Sequence, residues 1–300
     1  MKAYGIALIL LALPVIVHGQ PAPQPPQVAS EPETIYSDAL RQKDELLSRK
    51  FVQSLLSPSY TLDGQFSRWK APVCPHVIGM TPVAAYLVER RIREVAQRVG
   101  APLDRNDPCV PDIVIFVTPE PRATLDALVA KNHWLFDAWP LTSSKSDFPV
   151  QAWYANILRD YNGMPHLDVP WEILCPDCLT PPSIPANNTR LKTGIQPQMG
   201  AATILVDSNA ITGMTLGSVA DYLALLALAQ TPATGRCQPA PSIANLFLKD
   251  CEADFHVATL SDTDLAMLTS LYQTPDEPEK LQMTRLIGNM RRNLEGESGK

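Results

Sequence analysis

A zinc hydrolase is expected to place two imidazoles one helical turn apart, with a glutamate beside them. After the first twenty residues the chain has only His76, His133, His166 and His256, and no two of them stand at helical spacing. His166, Asp168 and Glu172 form a loose polar cluster that reads as solvated loop. No metal site and no cofactor are expected. Cys175-Pro-Asp-Cys178 has the spacing of a redox dithiol. Such a dithiol normally opens a helix. Here Thr180-Pro-Pro-Ser-Ile-Pro follows, a run that cannot continue one, so a loop disulfide is the expectation. There is no Gly-x-Ser-x-Gly elbow and no glycine-rich phosphate loop. Ser218 opens a helix and is expected to cap it.

Asp221 and Tyr222 remain. Both fall inside the most apolar segment of the chain, Gly217 to Gln230. A carboxylate buried there is costly unless it has a partner or lines a cleft. The simpler alternative is an exposed first turn, where Asp favours the positive end of the helix dipole. With His256, these two residues are the candidate cleft.

The elements that would position them can be read from pattern. Thr81-Pro82 opens a helix whose apolar positions Ala84, Val88, Ile92, Val95 and Val99 repeat with helical period. Gly100 can close it in the left-handed conformation. Asp112 to Thr118 is a β-branched run and reads as a buried strand. Pro121 to Ala130 reads as helix, Trp134 to Asp147 as loop, and Gln151 to Ile157 as strand. Pro165 to Met199 should be mostly irregular, and Ala202 to Asp207 is another strand. Ser261 with Asp264 makes a variant capping box for the next helix, and Leu260 can staple onto Leu265. Leu281 to Leu294 is amphipathic, with Leu286, Ile287, Met290 and Leu294 on one side. Glu33 to Leu56 looks helical and is expected outside the main core. The sum is a single α+β domain over residues 59–296, with a helical C-terminal third.

The succession of Ala202-Thr-Ile-Leu-Val, the helix from Gly217 to Gln230, Pro241-Ser-Ile-Ala-Asn245, Leu260-Ser-Asp-Thr-Asp264 and Leu271-Tyr272 resembles uncharacterised exported bacterial domains related to zincin-like metallopeptidases. The resemblance implies a zincin-like α+β fold in which a strand leads into the metal-bearing helix. Where that helix would carry His-Glu-x-x-His, the chain has Ala220-Asp-Tyr-Leu-Ala224, and the residues four beyond Asp221 and Tyr222 are Leu225 and Leu226. Leucine at 225 and 226 cannot bind a metal, so the peptidase centre would be gone. Asp221 and Tyr222 would hold its old position as a binding remnant.

Composition fixes the setting. Residues 1–19 have a basic start, an apolar run and a Val-His-Gly exit, which reads as a secretory signal peptide. Residues 20–32 contain five prolines and read as a disordered tether before the helix at 33–58. All six cysteines follow the signal, and in an oxidising compartment they read as three local disulfides: Cys74–Cys109, Cys175–Cys178 and Cys237–Cys251. Asn187-Asn-Thr189 matches a glycosylation acceptor. The net charge of −6 and the absence of a basic block argue against nucleic acid and anionic membrane as partners. After signal cleavage no stable membrane insertion is expected. The expectation is an exported, non-catalytic binding or structural protein of the cell envelope, whose partner is another envelope protein. The alternatives are an exported hydrolase with a site around Asp221, His256 or His166, and a thiol–disulfide protein using Cys175 and Cys178.

Overall fold

A computed structural model describes residues 44–59, 64–106, 108–137, 148–160, 162, 164–167, 194–231 and 235–298. The chain divides into two compact units, residues 1–40 and 41–300, and everything described belongs to the second. In chain order its elements are a helix over residues 44–55 (α1), β1 (Pro75–Ile78), α2 (Pro82–Val99), β2 (Ile113–Thr118), α3 (Pro121–Asp137), β3 (Val150–Arg159), β4 (Pro165–Leu167), β5 (Gln196–Asp207), α4 (Leu216–Leu228), α5 (Asp262–Gln273) and α6 (Glu279–Ser298). The fold is α+β, and its last third is helical apart from two short 3-10 turns.

The five strands form one sheet in the order β1-β2-β5-β3-β4. β1, β2 and β5 run parallel, while β3 is antiparallel to β5 and to β4. A parallel neighbour needs a crossover, and α2 supplies it between β1 and β2. Thr81 caps α2 through a bond from the Ala84 N–H, and Gly100 ends it with φ 80°. The alternating side chains then sort the two faces of the sheet. Ile113, Ile115, Val117, Ala152, Tyr154, Ile204 and Val206 belong to the main core with α1, α2, α4, α5 and α6. Trp153 and Leu205 point the other way, onto Leu125 of α3. Helices therefore cover both faces, unevenly.

β2 reaches only the second half of β5, from Ala202 onward. Residues 65–69 fill the row beside the first half. The Met199 N–H donates to the Arg68 carbonyl, and Gln65 Nε2 to the Ile195 carbonyl. Trp69 anchors this segment by donating from Nε1 to the Ala227 carbonyl at 2.7 Å. At the sheet's outer edge, Pro75 has no N–H, and the Val77 N–H donates to Glu89 Oε1 of α2 at 2.8 Å. The edge offers little for another strand to pair with. Gly79 follows with φ 94°; a side chain there would strike the Val117 carbonyl.

Several expectations change. α1 is not outside the main core: Phe51, Val52 and Leu55 are fully buried in it. α3 runs on to Asp137, past the expected loop start at Trp134. β5 begins at Gln196, inside the stretch expected to be irregular, because pairing with β3 supplies the hydrogen bonds that composition does not reveal. Thr215, not Ser218, caps α4: its Oγ1 accepts from the Ser218 N–H. Ser261 and Asp264 form the expected capping box. Leu286, Ile287 and Met290 of α6 are buried, with Leu294 packed against them. Cys74–Cys109 and Cys237–Cys251 are paired as expected. Cys175, Cys178, the signal, the tether, Asn187, Asp168 and Glu172 lie outside the described residues; His166 falls in β4.

The Cys74–Cys109 tether is reinforced by Asp112, whose Oδ1 accepts from the Cys74 N–H at 2.7 Å. Burial pushes the Asp112 carboxyl up to about 6, against the pull of that donor. The folded chain then binds a proton more readily than the unfolded chain, whose carboxyl keeps a value of 3.8. This group's contribution therefore weakens stability as pH rises from about 4 to about 6. Asp112→Asn keeps an acceptor for Cys74 but cannot ionise. Urea unfolding at stepped pH should show a flatter profile for the variant across that window. Parallel profiles would contradict the assignment.

Candidate functional site

α4 is built to be enveloped. Its residues from Ser218 to Leu228 are all buried, so polar side chains within it must find partners inside the protein. Asp221 is 2% exposed, which removes the exposed-first-turn reading. Its Oδ1 accepts from Arg91 Nε of α2 at 2.5 Å, and its Oδ2 accepts from the Leu260 N–H at 3.0 Å. Arg91 also approaches Glu94 on its own helix. The hydrogen bond to Asp221 holds the Arg91 guanidinium above its ordinary value. The pair is half wet: Arg91 is 40% exposed at its side chain and Asp221 is not. One carboxylate thus joins α2, α4 and the approach to α5, and both its oxygens are committed.

Tyr222 faces elsewhere, because consecutive helical residues diverge by about 100°. Its ring stands edge-on to Phe247, with centroids 4.8 Å apart. The phenol is buried and makes no hydrogen bond among the described residues. Burial pushes its pKa up, with nothing to favour the phenolate. The ring lines a cavity of about 20 Å³, room for one or two water-sized groups. Leu55 of α1, Val150 of β3 and Leu226 of α4 give it apolar walls, and the exposed Gly235 and Arg236 stand at its mouth. The Cys237–Cys251 disulfide ties down the loop that carries Arg236.

His256 joins neither group. It is exposed, its backbone bridges Ser242, and its imidazole makes no hydrogen bond among the described residues. The three candidate residues therefore do not form one cleft: Asp221 is a structural clamp, Tyr222 lines a small cavity and His256 faces solvent. Sequence pattern left Asp221 either in an exposed first turn or buried with a partner or a cleft, and the structure buries it with a partner. Pattern could not supply Arg91, which lies on a different helix. Arg236, beside a cysteine in a loop, carried no signal at all. Among the described residues, no group of His, Cys, Asp and Glu side chains could hold a metal ion.

A second buried carboxylate, Asp264, was visible only as a helix cap. It also accepts from Ser242 Oγ at 2.5 Å and from the Ile243 N–H at 2.9 Å, so it ties the 3-10 turn at Ile243–Asn245 to α5. Burial pushes its pKa up, while the donors from Ser242, Ile243 and Ser261 oppose the shift. Like Asp221 it is a buried carboxylate spent on structural donors, here backbone N–H groups and hydroxyls instead of a guanidinium.

No protein-family model, curated protein or solved structure matches the chain. The geometry alone bears on function.

Tyr222 can be dissected into ring and hydroxyl. Tyr222→Phe removes a group that bonds to nothing among the described residues and should change stability by no more than about 0.5 kcal/mol. Tyr222→Ala opens a void against Phe247 and should cost about 3–5 kcal/mol. Chemical denaturation of the two variants checks this. A large loss in Tyr222→Phe would mean that the hydroxyl has a structural partner.

Proposed function

We propose that this chain is an exported, non-catalytic binding or structural protein of the cell envelope, built on a degenerate zincin-like domain. The observation that carries the reading is the state of Asp221. It stands on the apolar helix that follows β5, where the resemblance expects a metal-binding side chain. Both of its oxygens are instead taken by Arg91 and by the Leu260 N–H. A carboxylate held in this way is buried and already paired with a cation. Leu225, one turn on, is fully buried and has no donor atom. Two disulfides close loops in the domain, which favours an oxidising compartment. Among the described residues no helix is long and apolar enough to cross a membrane.

The test is elemental analysis of the purified chain together with peptide-hydrolysis assays at neutral pH. Less than a tenth of an equivalent of zinc and no hydrolysis above the blank are expected. Stoichiometric zinc with peptidase activity would overturn the reading.

A further inference from the structure

We propose that Cys74–Cys109 is a reducible disulfide that exchanges with a dithiol partner through Cys109, and that Arg93 holds the Cys109 sulfur as a thiolate once the bond opens. The inference goes beyond the binding reading above and stands apart from it. Three observations meet at this bond. First, Arg93 Nη2 of α2 donates to Cys109 Sγ at 3.5 Å, and the guanidinium makes no ion pair among the described residues. Its helix neighbours Arg90 and Arg91 do pair with carboxylates, Glu94 and Asp221. A cation directed at a sulfur favours the thiolate and so the reduced form. No hydrogen bond reaches either sulfur of Cys237–Cys251 among the described residues. Second, the two sulfurs differ in their surroundings. Cys74 is 3% exposed, and the Asp112 carboxylate accepts from its N–H. Buried beside a carboxylate, it is held as a thiol. Cys109 is half-buried, in a loop whose Arg105, Asn106, Pro108 and Val110 are exposed. A reagent therefore meets Cys109 first. Third, the fold does not hang on the bond. β1 is paired with β2, the Val73 N–H donates to the Pro102 carbonyl, and the Asp112 N–H donates to the Cys74 carbonyl. Opening the bond loosens only the loop before Asp112 and leaves the two cysteines close enough to rejoin.

The exchange needs no reactant besides the dithiol. One thiolate of the partner attacks Cys109 Sγ, and the Cys74–Cys109 bond breaks. Cys74 Sγ leaves with the electron pair and takes the proton of the partner's second thiol. That second sulfur, now a thiolate, attacks the first, the mixed disulfide breaks, and Cys109 leaves as a thiolate beside Arg93. The partner is oxidised to its own disulfide, and the protein gains the two electrons. In the reverse direction the Cys109 thiolate is the attacking group.

Dithiothreitol is the probe. The full oxidised chain is equilibrated with graded ratios of its reduced and oxidised forms, quenched by alkylation and read by peptide mass spectrometry. Half-opening of Cys74–Cys109 in Arg93→Gln should need a ratio of reduced to oxidised probe about fivefold higher than in the parent, with Cys237–Cys251 unmoved. Arg93→Lys, which keeps the charge, should recover most of that shift. In the reduced parent, iodoacetamide should label Cys109 at least about tenfold faster than Cys74 at pH 7. The Cys109 rate should rise about sevenfold from pH 7 to pH 9, against about 25-fold for an ordinary thiol. Arg93→Gln should slow it about twofold at pH 7. The proposal is overturned if Arg93→Gln opens at the parent's ratio, if both disulfides shift together, as a general loss of stability would cause, or if Cys74 and Cys109 label at equal rates. Should the variant fail to fold, the parent decides alone: a Cys109 rate that climbs with pH as an ordinary thiol's does overturns the role of Arg93.

Discussion

An ionised carboxylate inside an apolar helix is unstable in isolation, and the packing of this domain is organised around answering that cost. Asp221 is the case in point. The α4 helix must be buried to close the main core, yet it brings a negative charge with it. Arg91 answers the charge from α2, and the Leu260 N–H answers the second oxygen from the approach to α5. The clamp ties α2 and α4 to each other and to the approach to α5. Because the guanidinium is partly hydrated, its desolvation cost is smaller than for a fully buried pair.

The same solution recurs in the domain. Asp264 gathers Ser242, Ile243 and Ser261, so the loop after α4 is bound to the start of α5. Asp276, in the turn between α5 and α6, takes Arg68 at 3.0 Å and Lys70 as well, and so holds the segment that lies along β5. Glu89 closes the edge of β1. In each case a carboxylate is spent on a long-range tie. Polar residues that look like candidates for chemistry are here the means by which irregular segments join the core. The disulfides act on the same segments: Cys74–Cys109 brackets α2, and Cys237–Cys251 brackets the 3-10 turn at Ile243–Asn245.

Much of the fold was legible in local pattern. Thr81-Pro82 and Gly100 bounded α2, the β-branched run marked β2, and Ser261 with Asp264 marked the start of α5. These signals are short-range, and neighbouring residues are enough to read them. What was not legible depended on partners far along the chain. The first half of β5 is a strand because β3 and residues 65–69 flank it. α1 is core because Phe51, Val52 and Leu55 meet helices that follow much later. The site divided along the same line. The need for a partner at Asp221 could be argued from its burial cost. The splitting of Asp221, Tyr222 and His256 onto separate surfaces could not, since it depends on how α4 is rotated against its neighbours.

The central claim is that Asp221 holds the fold together. A double-mutant cycle with Asp221→Ala and Arg91→Ala, read by urea unfolding, tests it most directly. The account predicts that Arg91→Ala is the more costly single change, because it leaves the buried Asp221 carboxylate without its cation, whereas Asp221→Ala leaves a guanidinium that water already reaches and one unpaired Leu260 N–H, and that the two residues couple by about 1–3 kcal/mol. Residues kept for function rather than stability commonly stabilise the protein when removed. An Asp221→Ala variant as stable as the parent or more so, with no coupling to Arg91, would contradict the account.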